Sequence, residues 1–127
     1  MESILGRFAP YFYGLLRIVA GLLFACHGAQ KLLGVLGGQQ VSLTSQLGVA
    51  GAIELVGGLF IAAGVFTSPI AFIASGEMAA AYFKAHAPRS FWPIQNGGEL
   101  AVLYCFLFLY FAARGNGALS VQGGGKR

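Results

Sequence analysis

The sequence predicts an all-α fold, a four-helix transmembrane bundle of up-down topology, and three observations predict it. Of its 127 residues, 57% are apolar and only 9% are charged, against about 25% charged residues in an ordinary soluble domain. The apolar residues gather in four stretches, each close to the roughly 20 residues that a helix needs to cross a bilayer. Ionisable residues stand inside those stretches: Arg17, His27, Glu54, Glu77 and Glu99, with Lys31 and Lys84 near their ends. On an insertion scale each central charge costs roughly 2.5–3.5 kcal/mol, so five of them facing lipid would cost on the order of 15 kcal/mol. These groups are therefore expected to face one another.

The first stretch, Tyr11 to Leu33, is longer than the roughly 7–15-residue core of a secretory signal and contains Arg17, so it reads as a retained span. Gly37-Gly38-Gln39-Gln40-Val41-Ser42 has the composition of a loop. The second stretch, Leu47 to Phe66, ends at the tight junction Thr67-Ser68-Pro69. Pro69 stands near the first turn of the third stretch, Ile70 to His86, where proline is best tolerated. Ala87 to Gln95 contains Pro88, Phe91, Trp92 and Pro93 and reads as an interfacial loop, because aromatic rings favour the headgroup boundary. The fourth stretch runs from Asn96 to Ala113. Arg114-Gly115-Asn116-Gly117 then reads as a helix stop and turn. A single domain is expected over residues 1–121, with a flexible tail over 122–127.

Four crossings place both termini on one side. That side gathers Arg7, Arg114, Lys126 and Arg127, so the positive-inside rule favours cytoplasmic termini and a cytoplasmic (inner) membrane location. The net charge of +4 is dispersed rather than aligned on one face, and no nucleic-acid motif accompanies it, so no nucleic-acid partner is expected. Cys26 and Cys105 form neither a redox motif nor a metal-ligand spacing, and read as small packing residues. His27 and His86 are a weak haem pair, because the second lies at a span boundary. No intrinsic haem, flavin or metal is expected.

Because successive helices alternate in direction and rise about 1.5 Å per residue, depth follows from position. Arg17 falls in the inner half, whereas His27, Lys31, Glu54 and Glu99 fall in the outer half and Glu77 near the middle. Arg17, Gly21, Phe24, Gly28 and Lys31 recur at steps of four, three, four and three, which makes one helical stripe with the small residues that permit close contact in lipid. Gly57-Gly58 similarly opens the backbone after Glu54 to another helix or a ligand. The expected site is a shared polar pocket. Glu54, Glu77, Glu99 and His27 would orient a ligand or carry protons, with Arg17, Lys31, Gly28, Gly58, Phe91 and Trp92 as binding residues. The structural alternative for each charged group is an ion pair that sets helix register, or a lysine that reaches the surface.

A quinone fits such a pocket, because its carbonyls accept hydrogen bonds, its reduction consumes protons and its isoprenoid tail prefers lipid. Two functions stay open: a quinone-linked redox membrane subunit, receiving electrons from a soluble or membrane redox partner, and a non-catalytic adaptor or assembly factor. A homo-oligomer is compatible with either.

Several motifs together resemble those of DoxX-like membrane proteins. They are Arg17, Gly21 and Phe24, then His27-Gly28 and Lys31, Glu54 with Gly57-Gly58, the turn at Thr67, Asn96-Gly97-Gly98-Glu99, and Gly115 through Ser120. The resemblance covers about residues 10 to 121 and implies a four-helix bundle in the cytoplasmic membrane. It also implies a role beside oxidoreductases of thiosulfate, quinone or thiol chemistry, or in membrane-protein assembly. Gln122 departs from the pattern, since members commonly carry an acidic residue after the Ser120-Val121 pair.

Overall fold

The computed structural model describes residues 1–123 and is helical throughout, with no strand among those residues. Four long helices carry it: α1 (Ala9–Leu33), α2 (Gln46–Ala63), α3 (Thr67–Ala81) and α4 (Glu99–Arg114). Short helical turns at Glu2–Leu5 and Gly6–Phe8 lead into α1, and a π-helical turn, Tyr82–His86, continues α3. A 3-10 turn, Ala87–Arg89, and a four-residue helix, Pro93–Asn96, join that end to α4. Two helical runs, Glu2–Leu33 and Gln46–Ala63, are long and apolar enough to cross a membrane.

The boundaries follow from local chemistry. Ser45 caps α2 by accepting the Gly48 N–H at 3.0 Å, and Gly34 and Gly64, both left-handed, end α1 and α2. The third helix starts at Thr67 rather than Ile70, because the turn closes through Gly64 and a left-handed Phe66 at φ 49°. The fourth starts at Glu99 rather than Asn96. Gly97 turns left-handed at φ 77°, and the Asn96 side chain accepts the Gly98 N–H at 2.8 Å, so Asn96-Gly97-Gly98 forms a corner instead of a helical turn.

The helices pack as two close pairs, α1 on α2 and α3 on α4, linked through the α2–α3 turn. Glycine sets the first pairing. A Cβ on Gly21 would stand 2.5 Å from Ala62 N, one on Gly58 would stand 2.5 Å from Ala25 N, and one on Gly28 would overlap Leu55 N. The backbones therefore touch, as the stripe of small residues requires. Aromatic rings fill the space between the pairs. Phe24 lies 4.6 Å from Phe108 and 5.4 Å from Tyr104, Tyr104 stacks on Phe108 at 5.2 Å, and Tyr13 meets Phe111 edge-on at 5.5 Å. Outward faces are apolar and bare, among them Leu15, Val19, Leu22, Leu59, Phe72 and Phe106, the reverse of a soluble helix pair.

The segment after α4 folds back onto the α2–α3 turn. Its Asn116 side chain accepts the Thr67 N–H at 3.1 Å, and the Val121 N–H reaches the Ala63 carbonyl at 2.8 Å. Gln122, expected at the start of a loose tail, has its amide oxygen at 2.7 Å from Phe66 N and 3.1 Å from Asn116 Nδ2. The remainder of that expected tail, 124–127, lies outside the described residues.

Candidate functional site

Two basic residues on α1, buried Arg17 and half-buried Lys31, are separated by about 21 Å of helix rise. Arg17 is fully buried and directs each guanidinium nitrogen at backbone carbonyls. Nε donates to Asn116 at 2.8 Å, Nη1 to Ile61 and Ala62 at 3.2 and 3.1 Å, and Nη2 to Ala118 and Leu119 at 2.9 and 2.7 Å. The Ile61 and Ala62 carbonyls belong to the C-terminal turn of α2, where the helix dipole presents partial negative charge. The cation is thus stabilised without a carboxylate. All five of its donors are engaged, which leaves none for a ligand.

Lys31 stands elsewhere in kind. Its Nζ lies 2.7 Å from both carboxylate oxygens of Glu54 on α2, and Glu54 is fully buried while the Lys31 side chain keeps 29% exposure. Beside this pair opens a cavity of about 250 Å³. Phe24, His27, Lys31, Glu54, Met78, Ala81, His86, Gly97, Leu100, Ala101 and Tyr104 line it. Every long helix supplies wall residues, and the turn at Gly97 and the π-helical turn at His86 supply the rest. The His27 ring meets Tyr104 edge-on at 6.2 Å.

The turn above the cavity is organised by Asn96, which is 1% exposed. Its Nδ2 donates to Tyr82 Oη at 3.0 Å and to the Ser90 carbonyl at 2.9 Å. Its own carbonyl lies 3.2 Å from His86 Nδ1. A π turn of this kind re-aims one helical turn of side chains and is frequent at functional sites. Here it turns His86 onto the cavity wall.

Of the residues expected to share one pocket, the cavity takes His27, Lys31 and Glu54. Glu77 stands beside Glu54, off the cavity wall, with Oε1 buried and without a donor among the described residues. Arg17 lies at the other end of α1, in the clasp just described. Gly28 and Gly58 lie at the α1–α2 contact. Glu99 is exposed on the first turn of α4, where an acidic side chain suits the helix dipole. Phe91 and Trp92 project outward, 79% and 60% exposed. Sequence reasoning missed His86 and Tyr104 as wall residues. Neither residue carried a signal in the sequence: His86 depends on a π turn and a backbone contact, and Tyr104 stands in an apolar run. Cys26 and Cys105 are free thiols.

An apolar exterior, helices that meet backbone to backbone, and a charged cavity among them define a helical protein of the membrane class. Residues 13–87 match the DoxX family, and the chain belongs to that family. It is 45% identical over 125 residues to an uncharacterized protein of Haemophilus influenzae, with 93% of each chain covered. No solved structure matches the chain.

Proposed function

We propose that this DoxX protein is a quinone-linked redox subunit of the cytoplasmic membrane, crossed by all four long helices in up-down order with both termini cytoplasmic. The observation that carries the reading is the cavity: about 250 Å³, bordered by the Lys31–Glu54 ion pair, His27 and His86, among helices with apolar outward faces. Such a space suits the head of a lipid-soluble ring, with aromatic and aliphatic walls for the ring and a few polar groups for its oxygens. When bound, a quinone supplies two-electron, two-proton redox chemistry. The protein supplies the setting. Phe24 and Tyr104 shape the wall, the remaining N–H of Lys31 Nζ can donate to a ring oxygen, and Glu54 holds that ammonium in place. Glu77 adds a second carboxyl group beside Glu54. Electrons would come from a soluble or membrane redox partner.

The crossing of α3 and α4 is supported by their bare apolar faces and by the unbroken helical run from Thr67 to His86, long enough to span about 30 Å. The reading is tested by extracting the protein with its native lipids and analysing the extract. A quinone that copurifies with the wild type and is lost in Glu54→Gln supports it. A stoichiometric protein partner with no bound quinone would instead establish the adaptor role.

A further inference from the structure

The polar groups around the cavity are not equivalent, and the difference bears on which redox form of a ring they accept. The His86 Nδ1 contact is with a backbone carbonyl, that of Asn96, and a carbonyl can only accept. Nδ1 therefore carries the hydrogen, and in the neutral ring Nε2 is left with a lone pair. No other hydrogen bond of His86 exists among the described residues, so Nε2 is free to face a ligand as an acceptor. Asn96 is itself fixed by its bonds to Tyr82, Ser90 and Gly98, so the ring's orientation is built rather than incidental. Gly97, the wall residue beside it, spends its N–H on the Pro93 carbonyl and offers no donor there.

The Lys31–Glu54 pair behaves differently. Lys31 keeps one N–H beyond the two given to Glu54, and the Glu54 carboxylate can accept, so that pair suits a carbonyl or a hydroxyl. The His27 ring and the Tyr104 hydroxyl can each turn to suit either. With its ring neutral, His86 offers its side of the cavity an acceptor and no donor. A ring carbonyl placed there would set acceptor against acceptor and leave both unpaired, a cost that a ring hydroxyl avoids by donating to Nε2.

We propose that the cavity selects the reduced, dihydroxy form of a quinone-type ring over its oxidised dicarbonyl form, with His86 Nε2 as the group that discriminates. The inference rests on the proposed quinone-binding function and adds the redox state of the form that binds best.

The test is equilibrium dialysis of the full chain in lipid nanodiscs, at neutral pH and without oxygen, against a decyl-tailed benzoquinone and separately against its quinol. The quinol is expected to bind about tenfold more tightly, the size of one well-made hydrogen bond against an unpaired acceptor. In His86→Phe the ratio falls to about one, through weaker quinol binding and, with the opposed acceptor gone, slightly tighter quinone binding. His86→Gln, whose amide can present either a donor or an acceptor, lowers the ratio as well and serves if the phenylalanine variant does not fold. Equal affinities in the wild type, tighter quinone binding, or a preference that survives in His86→Phe would overturn the inference while leaving quinone binding intact. Binding of neither form would overturn it together with the proposed function.

Discussion

Arg17 and Lys31 are long basic residues on the same stripe of the same helix, both turned toward α2, yet one closes its end of the molecule and the other leaves its end open. Arg17 spends every donor on carbonyls of α2 and of the segment after α4. Lys31 spends two donors on one buried carboxylate and keeps part of its surface on a 250 Å³ cavity. A charge at membrane depth is therefore not by itself the sign of a reactive site. What separates the two is whether hydrogen-bonding capacity remains after the fold has been satisfied.

The largest effect is expected at the closed end. Arg17→Ala removes the donor shared by five carbonyls, that of buried Ile61 among them, and releases the segment from Asn116 to Leu119, at a cost of about 3 kcal/mol or more. Thermal unfolding in detergent should show a large drop in midpoint, and limited proteolysis should cut within residues 115–121. Arg17→Lys should recover little, because a lysine has three donors on a point charge where five in a planar fork are used. An Arg17→Ala protein as stable as the wild type would remove the distinction between the two ends.

Next in size is the α1–α2 contact that both ends share. Gly28→Ala puts a methyl into Leu55 N and should cost about 1–3 kcal/mol by overpacking. Gly76→Ala on α3, where a Cβ meets nothing within 4 Å, should leave the unfolding midpoint unchanged or slightly raised. Equal responses from the two would mean that the backbones are not in contact at Gly28.

At the open end the same reasoning predicts a smaller stability cost with a larger functional one. Glu54→Gln removes the partner of Lys31, but Lys31 is 29% exposed and can be hydrated, so about 1–2 kcal/mol is expected. Adding Lys31→Met should restore the midpoint without restoring quinone retention. That split between folding and binding is what the open end requires and the closed end forbids.

The helices and the stripe on α1 were legible because period and residue size carry them: Arg17, Gly21, Phe24, Gly28 and Lys31 repeat at helical spacing, and small residues in lipid mean contact. The fates of the two charges were not legible. The partners of Arg17 are main-chain carbonyls of residues 61, 62, 116, 118 and 119, and a carbonyl leaves no mark in the sequence. Glu99 was placed by depth alone, which says nothing of azimuth once the Asn96-Gly97-Gly98 corner resets the start of α4. His86 reaches the cavity through a π turn and one backbone hydrogen bond, neither of which a side-chain pattern encodes.

The smallest effect concerns Gln122, and it tests how the closed end is finished. Phe66 holds a left-handed backbone at φ 49°, a conformation costly for a bulky residue, and its N–H is satisfied by the Gln122 amide oxygen at 2.7 Å. Asn116 Nδ2 donates to the same oxygen at 3.1 Å. Both partners are donors, so the position asks only for an acceptor. An acidic side chain supplies one as well as an amide does. Gln122→Glu should therefore leave the unfolding midpoint within a degree or so, with a charge-assisted gain offsetting any desolvation. Gln122→Ala leaves the Phe66 N–H without its partner and should cost about 0.5–1.5 kcal/mol. Hydrogen exchange at the Phe66 amide separates the outcomes: protection kept in Gln122→Glu and lost in Gln122→Ala places the acceptor at this position, whereas protection kept in both would mean that Arg17 and Asn116 hold the closed end without it.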